Sequence, residues 1–178
     1  MLRIRPYKYK DANAIPSWIK DEIEHAFWCA NLFKYPLTVE DFENKRIELD
    51  SKDDSIFFTA LDKNGIQVGL FSVMHFDYII NNAHLGFIIL DPNFRGKGYG
   101  QEMVKLAVHY CFNMLFVASV TLKVYDSNEA AHKCYKSVGF VDVSHNKKSP
   151  VFEGEDWGTW DMIITRKKAL RHKTFFLH

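Results

Sequence analysis

Apolar residues recur along the chain with two different periods, and each period predicts a different element. Leu2–Arg5 alternates apolar and basic residues, which predicts a short strand. Apolar positions at helical spacing over 12–30 predict one helix or two broken ones. Thr38 and Asp41 resemble a capping box, so a second helix is predicted over 39–49. The N-terminal quarter is therefore predicted to be mainly helical.

From Ser55 onwards the pattern changes to short apolar runs separated by turn residues. Asn64-Gly65 is a strong hairpin signal, and Asn81-Asn82 marks another turn. Antiparallel pairing of successive strands is the expected result. The three predicted strands of this meander are 56–61, 67–76 and 83–90.

The second half of the chain alternates helix and strand. A helical stripe that includes Met103 and Phe112 is followed by a predicted strand over 119–125. A helix is predicted over 128–138, with Gly139 ending it. The crossover from 83–90 to 119–125 should be a parallel β-α-β unit. The last two predicted strands are 140–143 and 159–165.

This order predicts one mixed α/β domain over residues 1–178, ending in a basic tail over 166–178. We expect this tail to be solvated and partly disordered, with contact to nucleic acid or a ribosome as the alternative. The net charge of +1 argues against a protein that works through nonspecific attraction to nucleic acid. Three cysteines without a CxxC pair argue against a disulfide framework. With no signal peptide or long apolar run in the sequence, we expect a cytoplasmic protein without a membrane span.

The stretch NFRGKGYGQE, residues 93–102, raises the question of chemistry. Three glycines at alternate positions stand between a predicted strand and a predicted helix, together with Arg95 and Lys97. Glycine lets backbone N–H groups approach a ligand, and a helix N-terminus adds unpaired N–H groups and partial positive charge. The stretch therefore predicts an anion site, with phosphate as the usual occupant.

Two common phosphate motifs do not match. A dinucleotide-binding loop requires G-x-G-x-x-G, whereas Gln101 stands where the third glycine belongs. The P-loop pattern is absent too, and the preceding strand belongs to an antiparallel meander. A general nucleotide-binding protein remains a third interpretation, which competition by ATP or NAD would test.

Arg95-x-x-Gly98-x-Gly100 instead resembles the Q/R-x-x-G-x-G/A pyrophosphate loop of the GNAT N-acetyltransferases, which bind acetyl-CoA. A second stretch, NEAAHKCYKSVGF, is similar to the family's N-x-x-A-x-x-x-Y-x-x-x-G-F pattern. The resemblance covers about residues 1–165 and implies a mostly antiparallel sheet of about seven strands with about four helices. It also implies that strands four and five splay apart to admit the cofactor. HLGFIILDPNFRGKGYG looks like the branch that acetylates ribosomal-protein N-termini, which also contains many small-molecule acetyltransferases.

The resemblance implies a set of cofactor contacts. The fourth strand would offer the pantetheine arm a strand-like edge, and an N–H of Ile88 or Ile89 would polarise the thioester carbonyl. Backbone N–H groups of 95–100 would hold the pyrophosphate, and Asn128 would hydrogen-bond the pantetheine arm. A plain helix N-cap is the alternative role for Asn128, and the two roles can coexist. The predicted cofactor-binding residues are Phe87, Ile88, Ile89, Leu90, Arg95, Gly96, Lys97, Gly98, Tyr99, Gly100 and Asn128.

Two residues are the candidates for proton transfer. Tyr135 matches the family's general acid, which protonates the departing thiolate; a core tyrosine is the alternative. Many relatives carry a glutamate near the start of the fourth strand, where this chain has His84. Imidazole is a suitable base, although His84 could equally be a rim residue, with His75 as a weaker candidate and a water relay as a third option. We predict no metal.

The acceptor is expected to be a primary amine, either on a small molecule or at a protein N-terminus. Aromatic and acidic residues in the presumed acceptor segments suit a cationic amine, although core packing explains them as well. They are Trp18, Asp21, Glu22, Phe27, Trp28, Glu153, Glu155, Asp156, Trp157 and Trp160. The predicted activity is direct acetyl transfer in a ternary complex; the alternative is a non-catalytic CoA-binding sensor on the same fold. Pairing of edge or C-terminal strands into a homodimer is left open.

Overall fold

A computed structural model describes residues 1–51, 55–152 and 155–171. In these ranges seven strands form one sheet in the order β1-β2-β3-β4-β5-β7-β6. Neighbouring strands are antiparallel except β4 and β5, which run parallel. The strands are β1 (Arg3–Pro6), β2 (Ser55–Leu61), β3 (Gln67–Asp77), β4 (Asn82–Leu90), β5 (Ser119–Tyr125), β6 (Val141–Phe152) and β7 (Glu155–Thr165).

Five α-helices accompany the sheet in the described ranges, with two 3-10 segments at Tyr9–Trp18 and Pro92–Phe94. The helices are α1 (Glu22–Cys29), α2 (Val39–Asp50), α3 (Tyr99–Asn113), α4 (Glu129–Val138) and α5 (Arg166–Arg171). The sheet and helices confirm the predicted mixed α/β class, including the meander and the parallel crossover.

The predicted helix over 12–30 is broken, which was one of the two alternatives. Pro16 lies inside the 3-10 segment, where its missing N–H does not support a continuous α-helix. The α1 helix then starts afresh at its N-cap, Asp21, whose carboxylate accepts a hydrogen bond from the Glu24 N–H at 2.7 Å.

Two differences concern the C-terminal region. Strands β6 and β7 are much longer than the predicted 140–143 and 159–165. The pattern did not reveal the length of β6, because β6 is an edge strand whose mostly exposed residues need no apolar alternation. Residues 166–171 form α5 instead of a solvated tail, and Ala169 is fully buried. Residues 172–178 lie outside the described ranges.

The two faces of the sheet carry different cores. Apolar residues of α3 and α4 pack on one face against Leu85, Val120 and other strand residues. The opposite face, beneath α1 and α2, holds an aromatic cluster of stacked and edge-on rings. We define the aromatic cluster as Trp28, Phe33, Phe42, Phe57 and Phe87.

The sheet forks between β4 and β5. Their parallel pairing runs from Asn82↔Ser119 to Leu85↔Leu122 and stops there. Strand β4 nevertheless continues to Leu90, and β5 continues to Tyr125. The backbone N–H and C=O groups of these two unpaired segments therefore form no ladder hydrogen bonds with each other, as the predicted splay requires.

A bulge in β4 lies at the fork. Leu70 pairs with Ile89 but Ser72 pairs with Gly86, so one β3 residue opposes two β4 residues, Phe87 and Ile88. Phe87 has φ +48°, in the left-handed region. Ala83 and Leu85 pack on the α3–α4 face, whereas Phe87 and Ile89 join the aromatic core on the opposite face. After the bulge, the odd-numbered side chains of β4 therefore lie on the opposite face of the sheet from those before it.

Candidate active site

The fork opens into a cleft of about 640 Å³ between β4, β5 and the N-terminal ends of α3 and α4. Its walls combine the two strands with a loop of glycines and with helix α1. Eight of the eleven predicted cofactor-binding residues line it: Ile88, Ile89, Leu90, Arg95, Gly96, Gly98, Gly100 and Asn128.

The glycine loop has the backbone conformation that its sequence predicts. Gly96 and Gly98 have φ of +73° and +82°, and a Cβ on either would find no atom within 4 Å. Gly98 is the N-cap of α3 and provides no side-chain cap, so N–H groups of the first turn lack a side-chain acceptor. This is an open, electropositive helix N-terminus, which suits a pyrophosphate.

Gly100 has a different reason to be glycine. A Cβ there would lie 3.3 Å from Leu90 Cδ1 and 3.6 Å from Cys134 Sγ. Its small size lets the first turn of α3 approach the end of β4 and helix α4. Gly100 therefore sets the width of the cleft at this end.

Arg95 has partners within the protein. Its guanidinium donates to Glu24 Oε1 at 2.6 Å, to the Trp18 carbonyl at 3.0 Å and to the Leu90 carbonyl at 3.3 Å. Glu24 lies on α1 and also lines the cleft. Arg95 thus ties the glycine loop to α1, and its positive charge at the loop is partly neutralised.

Three predicted cofactor residues do not line the cleft. Phe87 packs into the aromatic cluster, 5.6 Å from Phe57 between ring centroids, because the bulge turns it to that face. Lys97 donates to the Asn93 carbonyl at 2.9 Å, and Tyr99 packs edge-on against Phe94. These contacts describe the side chains, whereas the contacts predicted for Lys97 and Tyr99 are through their backbone N–H groups and stay predictions.

Asn128 is the N-cap of α4, and its Oδ1 accepts a hydrogen bond from the Ala131 N–H at 3.2 Å. This is the alternative role considered for it. Its side-chain NH₂ has no partner among the described residues and remains able to donate to a ligand. Because Asn128 also lines the cleft, both roles fit the geometry.

Tyr135 is buried on α4 and lines the cleft. Burial raises the pKa of its hydroxyl, with Cys134 adding to the effect, so the group stays protonated at neutral pH. Burial also raises the pKa of the neighbouring Cys134 thiol to about 11. A phenol that carries its proton can donate it, whereas a protonated thiol is a poor nucleophile.

His84 lies on the paired half of β4 and does not line the cleft. Its Nδ1 is 3.1 Å from Thr121 Oγ1 on β5. Burial, with the nearby His75 and Lys123, lowers the pKa of His84 to about 4. An imidazole with this pKa is neutral at pH 7 and is a weak proton acceptor. His84 is therefore poorly suited to be the base, since it is also outside the cleft lining.

The aromatic residues proposed for the acceptor separate into two groups. Phe27 of α1 meets Trp157 of β7 with ring centroids 5.1 Å apart, and Tyr125 lies 5.4 Å from Trp157. We call Phe27, Tyr125 and Trp157 the acceptor-side rings, because Phe27 lines the cleft on the α1 side. Trp160 is stacked between His132 and His145 instead.

The remaining acceptor candidates occupy different places in the fold. Trp18 is buried in the core, and Asp21 caps α1. Trp28 lines the cleft from within the aromatic cluster. Glu22 is exposed. Glu153 lies outside the described residues, and Glu155 and Asp156 belong to β7.

Sequence reasoning missed several lining residues. Glu24 and Lys123 carry charge, and the uncharged ones include Gln101, Met103 and Val124. The helical position of Glu24 gave no signal, since its partner Arg95 is 71 residues away. Lys123 gave no signal either, because the sequence does not indicate that parallel pairing ends at Leu85↔Leu122, one residue before it. Among the described residues, no group of three metal-ligating side chains comes together, and no helix is both long and apolar enough to cross a membrane.

A glycine loop at a helix N-terminus, forked parallel strands and a buried phenol form the arrangement that the resemblance implies for an acyltransferase using a CoA thioester. The family model described as "Acetyltransferase (GNAT) domain" matches residues 1–141. The chain therefore belongs to the GNAT acetyltransferase family.

Two curated relatives carry the same name, spermidine N(1)-acetyltransferase. The chain is 26% identical over 145 residues to the spermidine N(1)-acetyltransferase of Vibrio cholerae, covering 82% of each. It is 24% identical over 139 residues to that of Escherichia coli K12, covering 78% of this chain and 72% of the relative.

Among solved structures, spermidine N-acetyltransferase from Vibrio cholerae in complex with CoA and spermine superposes with a TM-score of 0.82. That match has 23% sequence identity and covers 95% of this chain and 98% of the other. It shows a shared fold. The named relatives are spermidine acetyltransferases, so the resemblance to the ribosomal-protein branch holds only at the level of the GNAT family.

Proposed function

We propose that this enzyme acetylates a primary amine of an alkyl polyamine of the spermidine class, by direct attack on acetyl-CoA in a ternary complex. The observation that carries the proposal is the cleft itself. Its lining includes the anion-binding glycine loop, Tyr135 and Phe27, and Phe27 contacts the other two acceptor-side rings, Tyr125 and Trp157.

The cofactor roles follow from what each wall offers. N–H groups at the start of α3 hold the pyrophosphate, and the unpaired half of β4 holds the pantetheine amides as a neighbouring strand would. The Asn128 side-chain NH₂ donates to the same arm. An N–H of Ile88 or Ile89 supports the negative charge that develops on the carbonyl oxygen.

The chemical step uses the protonated phenol. Tyr135 donates its proton to the sulfur that leaves, which prevents the thiolate from returning to the carbonyl. A covalent acetyl-cysteine is disfavoured, because the Cys134 thiol, with a pKa of about 11, is protonated at neutral pH. Direct transfer therefore fits this site better than a two-step route.

The amine must lose a proton before it attacks. At pH 7 this costs an alkylamine about 4.6 kcal/mol relative to its ordinary pKa. Because His84 is outside the cleft lining, we assign this proton to water rather than to His84.

The acceptor class is supported by two independent observations. Phe27 lines the cleft and packs with Tyr125 and Trp157, and an aromatic ring at this place favours an alkylammonium chain through cation–π contact. The relatives reported above are named for spermidine. A protein N-terminal amine is the competing acceptor, which the branch resemblance favoured.

The test has two stages on one purified sample. Calorimetric titration with CoA, ATP and NAD measures cofactor selectivity. Release of free CoA thiol is then measured with spermidine, spermine, an aminoglycoside and a peptide carrying a ribosomal-protein-like N-terminus.

We expect selective CoA binding and the highest kcat/KM with the polyamines. Peptide turnover exceeding polyamine turnover would replace the acceptor while leaving the cofactor assignment intact. CoA binding without turnover of any amine would favour a sensor. Equal binding of CoA, ATP and NAD would overturn the pyrophosphate-loop assignment.

A further inference from the structure

A lysine stands in the wall of the acetyl-CoA cleft. Of the lysines in the described ranges, only Lys123 lines it. It follows Leu122, the last β5 residue paired with β4, so it stands where the fork opens. Tyr135, Ile88 and Ile89 line the same cleft. The residue that lines the cleft here thus carries a primary amine, the chemical class of the proposed acceptor, on a flexible side chain.

Lys123 is held loosely. Its Nζ lies 3.4 Å from Asp161 Oδ1 of the neighbouring strand, and the two side chains are 55% and 43% exposed. Exposed ion pairs of this kind are weak. The Asp161 carboxylate is shared, since its Oδ2 accepts a hydrogen bond from the Ser144 hydroxyl at 2.6 Å. The lysine can therefore leave Asp161 without breaking a buried network.

We propose that Lys123 is a self-acetylation site, at which the enzyme transfers an acetyl group from acetyl-CoA to its own Nζ. The ammonium first loses one proton to solvent. The neutral nitrogen attacks the thioester carbon, the new C–N bond forms and the C–S bond breaks. Tyr135 protonates the departing sulfur, and the second proton of the nitrogen then restores the Tyr135 hydroxyl. The products are an acetamide, free CoA thiol and the one proton released to solvent.

The modification changes the charge at the acceptor side of the cleft. Acetylation removes the positive charge of Lys123 and leaves the Asp161 carboxylate without its lysine partner. A polycationic acceptor then meets less repulsion and one more carboxylate. This consequence rests on the proposed polyamine acceptor, whereas self-acetylation itself needs only acetyl-CoA.

The first experiment follows acetylation of the purified protein by acetyl-CoA alone, using peptide mass spectrometry. Lys133 is the internal control, because its side chain is 76% exposed and does not line the cleft. We expect Lys123 to react at least about tenfold faster than Lys133, at a rate constant independent of protein concentration. Tyr135→Phe should slow Lys123 and leave Lys133 unchanged. Equal rates at the two lysines in the wild-type protein would overturn the proposal.

The second experiment requires no turnover. The protein is treated briefly with acetic anhydride, with and without CoA, after calorimetry has measured CoA binding on the same sample. We expect CoA to protect Lys123 and not Lys133. A sample that binds CoA without protecting Lys123 would overturn this inference alone. A folded sample that binds no CoA would overturn the cofactor assignment along with it.

A third measurement isolates the effect of charge. Lys123→Gln imitates the neutral acetylated side chain, and Lys133→Gln is its matched control. We expect the first variant to lower the KM for spermidine several-fold and the second to leave it unchanged. An unchanged KM in both would contradict the proposed charge effect.

Discussion

The two ends of the cleft are built in different ways. At the proposed cofactor end, the glycine loop and the unpaired half of β4 line the cleft, and their backbone groups are the proposed ligand contacts. At the acceptor end, side chains from α1, β5 and β7 come together, with Phe27 and Trp157 separated by 130 residues in sequence. Backbone sites depend on local conformation, whereas side-chain sites depend on how distant elements pack. The two ends should therefore respond differently to substitution.

The sharpest test of this contrast is at Tyr135, which serves both ends. Tyr135→Phe should lower kcat by roughly 10²–10⁴-fold, because the proton donor to the leaving sulfur is lost. CoA affinity, measured by calorimetry, should stay the same. Tyr110→Phe is the control, since Tyr110 packs on Phe58 and does not line the cleft. Unchanged kcat in Tyr135→Phe would remove the general-acid role.

The next largest effect is expected from Gly98→Val at the cofactor end. A β-branched residue at φ +82° is strained, and its side chain would enter the anion site. CoA affinity should fall roughly tenfold or more, equivalent to about 1.4 kcal/mol.

Gly65→Val supplies a matched control for this variant. Gly65 also has φ +82° and nothing within 4 Å of its Cβ position, but it lies in the β2–β3 turn. Both variants should lose comparable stability in chemical denaturation, and only Gly98→Val should weaken CoA binding. Similar CoA affinity in the two would show that strain rather than the loop position is responsible.

At the acceptor end, Phe27→Leu should raise the KM for spermidine while CoA affinity stays unchanged. Leucine keeps apolar bulk but removes the aromatic face, whose contact with a desolvated cation contributes about 1–2 kcal/mol. The expected change is roughly fivefold to thirtyfold. Phe116→Leu, at a ring that is 70% exposed and outside the cleft lining, should change neither quantity. A loss of CoA affinity in Phe27→Leu would contradict the assignment of Phe27 to the acceptor end alone.

The smallest effect on turnover is expected at His84, where the two strands are still paired. His84→Gln should retain wild-type kcat/KM near pH 7.5, because His84 is outside the cleft lining. A drop of 100-fold or more there, roughly what loss of a general base would cause, would restore His84 as the base.

His84 should instead contribute to the pH dependence of the free energy of unfolding. Its pKa falls from 6.5 to about 4 in the folded protein, so the unfolded chain binds more protons between those values. The stabilising contribution is complete above pH 6.5 and is lost as the pH falls towards 4. Denaturation of wild type and His84→Gln at pH 7.5 and 4.5 should show a smaller acid loss in the variant, by up to about 3 kcal/mol.

The cofactor end could be predicted from sequence because its signals are local. Gly96, Gly98 and Gly100 stand in a spaced motif, and the conformation they predict is the one found. The fork was implied by resemblance to the GNAT family and is confirmed by pairing that ends at Leu85↔Leu122.

Strand β4 shows where such reasoning stops. Simple alternation would place residues 83, 85, 87 and 89 on one face, but the bulge moves Phe87 and Ile89 to the other. A non-glycine residue with positive φ leaves no mark in the sequence. The Arg95–Glu24 ion pair was equally unpredictable, since it depends on packing between segments 71 residues apart.

The insertion of β7 between β5 and β6 has a consequence for synthesis of the chain. Until β7 emerges from the ribosome, β5 presents an open edge next to the fork, and β6 has no neighbour to pair with. The glycine loop, α3 and α4 are translated earlier, but Trp157 reaches Phe27 only with that strand. A nascent chain can thus complete its cofactor end before its acceptor end is assembled. A truncation just before β7 would leave β5 and β6 with unpaired edges, which favour aggregation.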